Sequence, residues 1–526
     1  MSQKDKSFYI TSPIYYVNDV PHIGHAYTSI ACDVLARFKR LENYDVFFLT
    51  GTDEHGQKVE KSALAKGKSP QEFCDEVSQK FRELASSLQL SHNDFIRTTQ
   101  DRHKKCAQKF WQILEQNGYI YKSTYEGWYA LRDEAFYNED EIVDGCAPTG
   151  AQVSWHKEES YFFKLSAFQD KLLALYEAAP DFVRPTSRHN EVVNFVKSGL
   201  RDLSISRTSF SWGIKVPSTT STLEEEGEAK GHIMYVWLDA LTNYLSALGF
   251  ASDDETLYQK FWVNASESPI HMVGKDIVRF HAIYWPAFLM AANLNVPYSV
   301  YAHGWWTNEG QKISKSLGNV IDPLNELEWL KSFGLDADAA NDYFRYFLLR
   351  EVHFGSDGDY NRANFTVRVN SELANNIGNL AQRSLTMIYK NCDGKIPEGI
   401  DHAKALIEPF SEKYFAAMRE FQYSEALGAI IDFASLINKR FNDAAPWNLK
   451  KENKIAQMNA ALHEAANAVR LIAILLLPFM PNLSTRLLDM LNVGSDERDF
   501  AALNGELLAN HKIAEPKGVF PRLESK

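Results

Sequence analysis

The chain has 526 residues, of which 45% are hydrophobic and 24% are charged, and its net charge is −12 at pH 7. This composition is typical of a globular protein, and a chain of this length should divide into roughly three or four domains. No secretory signal is expected from the polar start Met1–Lys6, and the best apolar run, Leu471–Met480, is too short to cross a bilayer, so no membrane partner is expected.

The five cysteines lie far apart, at positions 32, 74, 106, 146 and 392. Their odd number and wide spacing predict neither a disulfide framework nor a Cys-x-x-Cys metal site, which indicates a reducing cytoplasm. The acidic excess lies in the first 360 residues, since the remainder carries 20 Lys and Arg against 19 Asp and Glu. An RNA partner would therefore have to bind local basic patches and not a field of the whole protein.

The first predicted strand, Phe8–Thr11, leads through a turn into His22-Ile23-Gly24-His25. Apolar residues then recur at three- and four-residue steps from Ala26 to Leu41, which predicts an amphipathic helix. The first amides of a helix attract phosphate, and Gly24 lets a nucleotide approach the backbone. Two imidazoles there could donate hydrogen bonds to a phosphate whose charge grows during displacement. Alone, the motif fits two surface histidines near a helix start equally well.

A second predicted strand, Val46–Leu49, stops at Gly51-Thr52-Asp53-Glu54-His55-Gly56 and is followed by another helical pattern. Strand, loop and helix in this order are expected of a parallel α/β sheet. Ligands bind beyond the carboxyl ends of such strands, so Asp53 and His55 should face the same crevice as His22. The alternative for both residues is a surface loop with a helix cap.

The sequence predicts that residues 119–231 form an insertion. The segment is rich in aromatic residues, and its strand and helix signals do not continue the alternation of strands and helices. Within it, the stretch from Pro217 to Lys230 consists largely of Ser, Thr and Glu, which predicts a mobile exposed loop.

The α/β pattern returns with Met234–Leu245 and two apolar strands, Ile270–Val273 and Ser299–Ala302. These strands end at Gly274-Lys275-Asp276 and at His303-Gly304-Trp305-Trp306. Shortly afterwards, Lys312-Ile313-Ser314-Lys315-Ser316 lies between Gly310 and Gly318. A glycine-bracketed loop with two lysines and two hydroxyls is suited to gripping a polyphosphate. Taken alone, such a five-residue stretch is more often an ordinary solvated basic loop.

From about Asn361 the chain becomes almost wholly helical. Long amphipathic stretches at about 366–391, 403–445 and 453–491 predict a helical bundle.

The motifs at His22–His25 and Lys312–Ser316 together resemble the paired signatures of class I aminoacyl-tRNA synthetases, with Ile313 in the place of the usual methionine. Four further stretches resemble methionyl-tRNA synthetases and occur in that family's order. They are Thr11–Asn18, Thr50–Gly56, Tyr235–Ala240 and Gly274–Asp276. The resemblance extends from Phe8 to about Leu523.

The resemblance implies an α/β Rossmann-like catalytic domain with a parallel sheet, in two halves at 1–118 and 232–323 around the connective insertion 119–231. A lysine-loop and stem-contact region, 324–360, and an α-helical anticodon-binding domain, 361–526, would follow. The implied activity is that of a cytoplasmic methionine–tRNA ligase. It would convert L-methionine and ATP to methionyl-adenylate and pyrophosphate, and then transfer methionyl to the 3′-terminal adenosine of initiator and elongator tRNA(Met).

The resemblance also implies roles for individual residues. His22 and His25 would stabilise the α-phosphate, while Lys312 and Lys315 would hold the leaving pyrophosphate, with Mg²⁺ on the phosphate oxygens. The ATP site would comprise His22, Gly24, His25, Gly274, Asp276, His303, Gly304, Trp305, Lys312, Ile313 and Lys315. The methionine site would comprise Pro13, Ile14, Tyr16, Asp53, Trp237, Ala240, Tyr244 and His281.

In this implied methionine site, Asp53 would pair with the α-ammonium group. Aromatic walls suit a thioether, because sulfur packs favourably against aromatic rings. The alternative for Trp237 and Tyr244 is plain core packing.

In the bundle, the resemblance assigns Asn379, Arg383 and Trp447 to the tRNA anticodon. Asn379 and Arg383 are four residues apart and would share one helix face, and Trp447 follows Pro446 and could present its indole for base stacking. Without the resemblance, a buried Trp447 and a solvated Arg383 would be the simpler interpretation. Four basic residues nearby could hold phosphates: Lys439, Arg440, Lys450 and Lys451.

Two departures from the family matter. Many members carry a zinc knuckle in the insertion, but the matching segments, 129–133 and 146–149, keep only Cys146 of four expected soft ligands. One thiolate cannot build a tetrahedral site, so no structural zinc is expected. The chain also stops soon after the bundle, without the extra domain that some relatives append, which favours a monomer.

Two other classes of protein are alternatives to this assignment. A smaller nucleotidyltransferase also combines His-x-Gly-His with a lysine loop, but it would need neither an aromatic thioether pocket nor about 165 residues of bundle. A non-catalytic RNA-binding paralogue could dispense with the histidines and lysines, all of which are present. Among class I synthetases, the leucine, isoleucine and valine enzymes carry larger editing insertions, and the cysteine enzyme needs zinc ligands that this chain lacks.

Overall fold

Strands and helices alternate in the N-terminal segment, as the sequence predicts. This computed structural model describes residues 6–17, 20–133, 135–137, 139–217, 228–313 and 318–524. The first elements are β1 (Ser7–Thr11), β2 (Tyr15–Tyr16), α1 (Ile23–Leu41), β3 (Asp45–Asp53), α2 (Gln57–Ala65), α3 (Pro70–Ser87), β4 (Asp94–Arg97) and α4 (Asp101–Gln116).

Strand β3 continues to Asp53, beyond the predicted end at Leu49. The additional residues pair with β4, where Gly51 lies opposite Ile96. A Cβ atom at Gly51 would lie 2.1 Å from the carbonyl oxygen of Ile96. Gly51 therefore permits a close approach of two strands and does not end one.

The insertion forms two small antiparallel sheets. Its elements are β5 (Ile120–Ala130), β6 (Ala135–Tyr137), β7 (Ser154–Phe163), α5 (Gln169–Ala178), β8 (Val183–Arg184), α6 (Thr186–Lys197), β9 (Leu203–Ser204), β10 (Ser206–Arg207), β11 (Lys215–Pro217) and β12 (Glu228–Met234). The sheet orders are β6-β5-β7-β9 and β10-β12-β11. The loop predicted at 217–230 is flanked by paired strands, with Pro217 opposite Glu228, and its residues 218–227 lie outside the described residues.

The α/β pattern resumes after the insertion. The elements are α7 (Val236–Leu241), α8 (Asn243–Ser246), α9 (Thr256–Tyr258), β13 (Ile270–Gly274), α10 (Trp285–Ala291), β14 (Ser299–His303), β15 (Trp306–Asn308), β16 (Gln311–Lys312), α11 (Pro323–Lys331), α12 (Ala337–Glu351) and β17 (Gly358–Tyr360). Strands β13 and β14 confirm the two apolar strands predicted here.

A parallel seven-stranded sheet joins both halves of the α/β part. Its order is β2-β3-β1-β13-β14-β8, with β4 also paired to β3, and every pairing is parallel. Strand order therefore reverses between β1 and β13, and the crevice at such a switch point is where open α/β sheets bind ligands. The edge strand β8 comes from the insertion, so residues 119–231 contribute to the main sheet as well.

The C-terminal part is a helical bundle, as predicted. Its helices are α13 (Arg362–Val369), α14 (Asn379–Asn391), α15 (Ala403–Arg419), α16 (Tyr423–Ala444), α17 (Pro446–Lys451), α18 (Ile455–Leu476) and α19 (Pro481–Met490). The stretch predicted at 403–445 is divided by Phe421, whose φ is 57°. No helix within the described ranges has the length and apolar character needed to cross a membrane.

Helix α1 connects the sheet to the bundle. Its buried Asp33 forms an ion pair of 2.7 Å with Arg345 of α12, and Arg345 donates to the carbonyl oxygen of Phe479, between α18 and α19, at 2.8 Å. The hydroxyl of Tyr423, at the start of α16, donates to the carbonyl oxygen of Ala31 in α1 at 3.1 Å. One apolar core runs from α1 through α12 into the bundle, so the histidine motif and the bundle share a supporting helix.

Candidate active site and bundle groove

Both histidines of the predicted phosphate motif cap helix α1. The Nδ1 atom of His22 accepts the N–H of Gly24 at 3.1 Å, and the Nδ1 atom of His25 accepts the N–H of His22 at 3.1 Å. Since each Nδ1 accepts a backbone hydrogen, the hydrogen of each neutral ring is assigned to Nε2, as a donor. Burial and the neighbouring His22 lower the pKa of His25 well below its ordinary value, which keeps its ring neutral.

His303 joins the end of β14 to the same helix. Its Nε2 lies 2.7 Å from the hydroxyl of Thr28 in α1, and its Nδ1 lies 2.8 Å from the carbonyl oxygen of Gly304. A Cβ atom at Gly304 would lie 2.2 Å from the carbonyl oxygen of Ser356, so glycine is required here by packing alone. His303 therefore lies at the carboxyl end of β14 and against the helix that carries the histidine motif, and its role in ATP binding stays a prediction.

Trp305 forms an exposed aromatic surface at the crevice edge, with 45% of its area accessible. Its Nε1 donates to Asp276 at 3.1 Å, while the ammonium groups of Lys275 and Lys312 lie 4.3 Å and 5.6 Å from the ring centroids. Asp276 itself follows Gly274, at which a Cβ atom would lie 2.5 Å from the Asp276 carboxylate. The predicted ATP residues Gly274, Asp276, Trp305 and Lys312 are therefore neighbours.

The lysine loop follows the hairpin β15–β16. Lys312 is exposed and Ile313 is half-buried, whereas Ser314–Leu317, and with them the predicted Lys315, lie outside the described residues. Beyond the loop, the carbonyl oxygen of Ile321 accepts the N–H of Ile23 at 3.0 Å. Because Ile23 is the first residue of α1, the chain returns from the lysine loop directly to the histidine motif.

Aromatic residues of the predicted methionine site meet between α7 and the segment after β13. The hydroxyl of Tyr244 lies 2.7 Å from Nε2 of His281, whose Nδ1 lies 3.0 Å from the carbonyl oxygen of Ile277. A carbonyl only accepts, so Nδ1 carries the hydrogen and Nε2 accepts from Tyr244. Trp237 stacks on Phe280 at 3.7 Å between ring centroids and meets His281 edge-on at 6.2 Å. Burial lowers the pKa of His281 to about 4, so it is neutral at pH 7.

The strands β2 and β3 carry two further residues of the predicted methionine site, Tyr16 and Asp53. Tyr16 is in register with Asp53, which is buried at the end of β3. Three of the predicted residues, Ile14, Tyr16 and Trp237, pack against one core cluster. Pro13 is half-buried and Ala240 is buried. Tyr244 is 1% exposed, so it is a core residue as well as a candidate wall of the site.

A buried polar cluster behind this site was missed by the sequence reasoning. Asp239 of α7 accepts hydrogen bonds from His55 at 2.7 Å and from His103 of α4 at 2.8 Å. His103 is also 2.9 Å from the hydroxyl of Ser246. His55, expected to face the crevice, is 4% exposed and is turned toward Asp239. The available signal was the position of Asp239 inside Tyr235–Ala240, whereas His103 belongs to no motif.

Hydrogen bonds link the two segments of the insertion that match the family's zinc knuckle. The hydroxyl of Tyr137 donates to the carboxylate of Asp133 at 2.9 Å, and the hydroxyl of Thr149 donates to the same carboxylate. Cys146 is a half-buried free thiol nearby in sequence. Among the described residues, no group of three or more His, Cys, Asp or Glu could hold a metal ion. The absence of structural zinc from the protein stays a prediction.

The predicted anticodon residues lie in the bundle, away from the crevice elements. The guanidinium of Arg383 lies 4.7 Å from the ring centroid of Trp447 and donates to Asn442 at 2.8 Å. Trp447 is half-buried and meets Phe441 edge-on. A groove of about 450 Å³ next to them is lined by Asn375, Asn376, Asn379, Ser435, Asn438, Lys439, Asn442 and Asp443. The structure thus brings Arg383 and Trp447 into contact and places Asn379 on the adjoining groove.

Two of the basic residues expected to hold phosphates already have acidic partners. Lys439 pairs with Asp443 at 2.9 Å, and Arg440 pairs with Glu464 at 2.6 Å. Lys450 donates to the side chain of Asn391. Only partial use of this cluster for RNA phosphates is therefore expected, because Lys439 and Arg440 would have to exchange one anion for another.

The comparisons with known proteins cover the catalytic part and the bundle alike. The family described as "tRNA synthetases class I (M)" matches residues 8–154 and 144–385, and the "Anticodon binding domain of methionyl tRNA ligase" matches residues 398–526. A methionine–tRNA ligase of Rickettsia conorii is 52% identical over 532 residues, which cover 99% of this chain and 100% of the relative. One of Rhizobium meliloti is 49% identical over 528 residues, which cover 98% of each chain. The solved structure of Mycobacterium tuberculosis methionyl-tRNA synthetase in complex with methionyl-adenylate is 44% identical, with a TM-score of 0.90 over 98% of this chain and 100% of that chain.

Proposed function

Because this chain belongs to the methionyl-tRNA synthetases of class I, it is a methionine–tRNA ligase, and we propose that the crevice between β1 and β13 carries out the adenylation step. Methionine attacks the α-phosphate of ATP, methionyl-adenylate forms, and pyrophosphate leaves. The methionyl group then passes to the 3′-terminal adenosine of tRNA(Met).

In the proposed adenylation step, His22 and His25 act on the α-phosphate. Their Nδ1 atoms are bound to backbone amides of the α1 start, so each Nε2–H is oriented as a donor before ATP arrives. Donors fixed in this way stabilise negative charge that develops in the transition state, and the positive end of the helix dipole acts in the same direction.

The cationic side of the crevice would hold the pyrophosphate. Lys312 lies beside Trp305, and the chain beyond the lysine loop is bonded to Ile23 at the start of α1. Lys315 is assigned the same role from its place in the motif, although it lies outside the described residues. Mg²⁺ would neutralise the phosphate oxygens and would need no carboxylate cluster of the protein, which fits the basic character of these residues.

The proposed methionine site combines one anion with aromatic walls. Asp53 at the end of β3 would pair with the α-ammonium group, while Trp237, Tyr16 and Tyr244 would surround the thioether. Burial keeps His281 neutral, and its bonds to Tyr244 and Ile277 fix its orientation, so it adds no charge to an apolar side-chain site.

The observation that carries this proposal is the convergence of the two sites on one strand reversal. The histidine helix comes after β1 and β2, Gly274 ends β13 and is followed by Asp276, and Asp53 ends β3. These positions support an α-phosphate site and an amino-acid site at the same end of neighbouring parallel strands, as a reaction between methionine and ATP requires.

Two further features of the function are proposed. The groove beside Asn379, Arg383 and Trp447 would receive the anticodon of both initiator and elongator tRNA(Met). The protein would act as a cytoplasmic monomer, in keeping with its role in translation and with five free cysteines.

The test is ATP–pyrophosphate exchange with each of the twenty amino acids, followed by aminoacylation of tRNA(Met). Exchange should depend on methionine alone and should not require tRNA. Exchange driven by another amino acid would contradict the assigned substrate. Normal exchange with no aminoacylation of either tRNA(Met) would contradict the role proposed for the bundle.

A further inference from the structure

The buried cluster of Asp239, His55 and His103 joins the two sides of the proposed methionine site. Asp239 stands two residues after Trp237 and directly before Ala240 in α7, and His55 stands two residues after Asp53. The bond of 2.7 Å between His55 and Asp239 therefore spans from the element that carries the ammonium partner to the element that carries the aromatic wall.

The buried charge of Asp239 requires these hydrogen bonds. Its side chain is 1% exposed, and a buried carboxylate is unfavourable unless its oxygens are hydrogen-bonded. Each oxygen has one partner, His55 on Oδ2 and His103 on Oδ1. Burial alone would raise the pKa of Asp239, but His55 and His103 lower it to about 2, so the carboxylate is ionised at every pH relevant to function.

Five of the six residues of helix α7 are buried in the apolar core, and the hydrogen bonds of Asp239 add a directional constraint to this packing. The helix is six residues long, and its N-cap, Tyr235, makes no capping hydrogen bond through its side chain. A planar carboxylate held at both oxygens determines the direction of the helix face that bears it. His103 comes from α4 and is bonded to Ser246 of α8, so the cluster also connects α7 to two neighbouring helices.

We propose that Asp239 is a positioning residue for methionine, which acts through His55 and His103 to hold Trp237 and Ala240 at the correct distance from Asp53. This inference rests on the proposed methionine site. It assigns specificity for the amino acid, and not for ATP, to a group that touches neither substrate.

The experiment is steady-state ATP–pyrophosphate exchange with methionine and ATP varied separately. Asp239→Asn should raise the KM for methionine about 10-fold or more, because displacement of a binding group by about 1 Å can reduce activity about 100-fold. The KM for ATP should change less than about 3-fold, because the residues that Asp239 positions belong to the proposed methionine site and not to the ATP site. Equal changes in both KM values, or a lower melting temperature with both KM values unchanged, would overturn the proposal.

A pair of substitutions at His55 separates positioning from loss of packing. His55→Asn keeps an N–H donor close to the place of Nδ1 and should restore most of the methionine KM, whereas His55→Leu removes the donor and should behave as Asp239→Asn does. A similar loss in both variants would contradict the proposal. This pair decides the matter if Asp239→Asn does not fold.

Asp342→Asn is the matched control, since Asp342 is also a buried carboxylate with two partners, Leu483 and Asn482. It lies in α12, so it should change stability and leave the KM for methionine as in the unmodified protein. Failure of the unmodified protein to show methionine-dependent exchange would count against the proposed function itself. A change of methionine KM in Asp342→Asn would count against the positioning role alone.

Discussion

The crevice and the bundle groove hold their candidate ligand-binding side chains in different ways. In the crevice, His22, His25 and His281 are bonded to backbone groups or buried side chains, so their orientation is set before a ligand binds. Beside the groove, Arg383 and Trp447 contact each other. The crevice side chains are therefore oriented in advance, as the proposed stabilisation of a developing charge requires, whereas a base stacking on Trp447 as proposed would have to compete with a guanidinium or use the opposite face.

The difference agrees with the two kinds of ligand. A transition state rewards donors that do not have to reorganise, whereas stacking on an aromatic surface tolerates some movement because every base has a π-face. Helix α1 links the two arrangements through Asp33 and Arg345, although it presents only its N-terminal end to the crevice.

The largest effect is expected at His25, where capping and catalysis are separable. His25→Ala should lower ATP–pyrophosphate exchange about 100- to 1,000-fold, as loss of one donor to a developing anion does. His25→Asn keeps an acceptor near the position of Nδ1 and loses Nε2–H. It should therefore show the same loss of exchange with a higher melting temperature than His25→Ala.

Direct methionine binding, measured by calorimetry, should be nearly unchanged in both His25 variants, because the role proposed for the ring concerns the phosphate of ATP and not the amino acid. Normal exchange in His25→Asn would mean that the histidine only caps the helix. The proposed difference between a preorganised crevice and the bundle groove would then be wrong.

Beside the groove, Trp447→Ala should lower kcat/KM for aminoacylation roughly 5- to 150-fold, since base stacking on an aromatic side chain contributes about 1–3 kcal/mol. Trp447→Phe retains a stacking face and should lose less. Exchange without tRNA should be unchanged in both variants. If Trp447→Ala loses both activities and melts early, the residue is part of the bundle core and the anticodon assignment is wrong.

A fall in pH should reduce the contribution of His281 to stability and increase that of Asp342. The pKa of His281 is about 4 in the folded protein, below its ordinary value of 6.5. The unfolded chain binds more protons between these values, so stability from His281 is complete above pH 6.5 and is lost as the pH falls to 4, by about 3 kcal/mol.

Asp342 lies in α12, and burial raises its pKa to about 6 from its ordinary value of 3.8. Here the folded protein binds more protons, so the contribution of Asp342 is present below pH 3.8 and is lost as the pH rises through 6. Urea midpoints at pH 4.5 and 7 should therefore converge in His281→Gln and move apart in Asp342→Asn, relative to the unmodified protein. If the difference between the midpoints at pH 4.5 and pH 7 were the same in both variants, the two pKa shifts would be contradicted.

The smallest effect is expected from chelators. The knuckle segments are connected through Asp133, Tyr137 and Thr149, so EDTA should leave the melting curve unchanged and elemental analysis should find no stoichiometric zinc. A drop in melting temperature on chelation would show that Cys146 has metal-binding partners.

Sequence patterns predicted the parts of this protein that depend on local order. The strands β1, β13 and β14, the helix that begins after His22 and the helical C-terminal part all follow from apolar periodicity and from turn residues. Errors arose where packing overrides the local pattern. Gly51 continues a strand because β4 passes too close for a side chain, and one predicted stretch becomes α15 and α16 at Phe421.

The residues of the motifs could be assigned to a crevice from sequence because parallel strands present their carboxyl ends at one edge, whatever the intervening chain does. The partnership of Asp239, His55 and His103 could not, since it joins residues 136 and 184 positions apart and depends on side-chain directions that no periodicity records. The same holds for Arg383 and Trp447, whose contact requires α14 and α17 to meet. Local sequence sets which elements form, whereas long-range hydrogen bonds and burial decide which side chains act together.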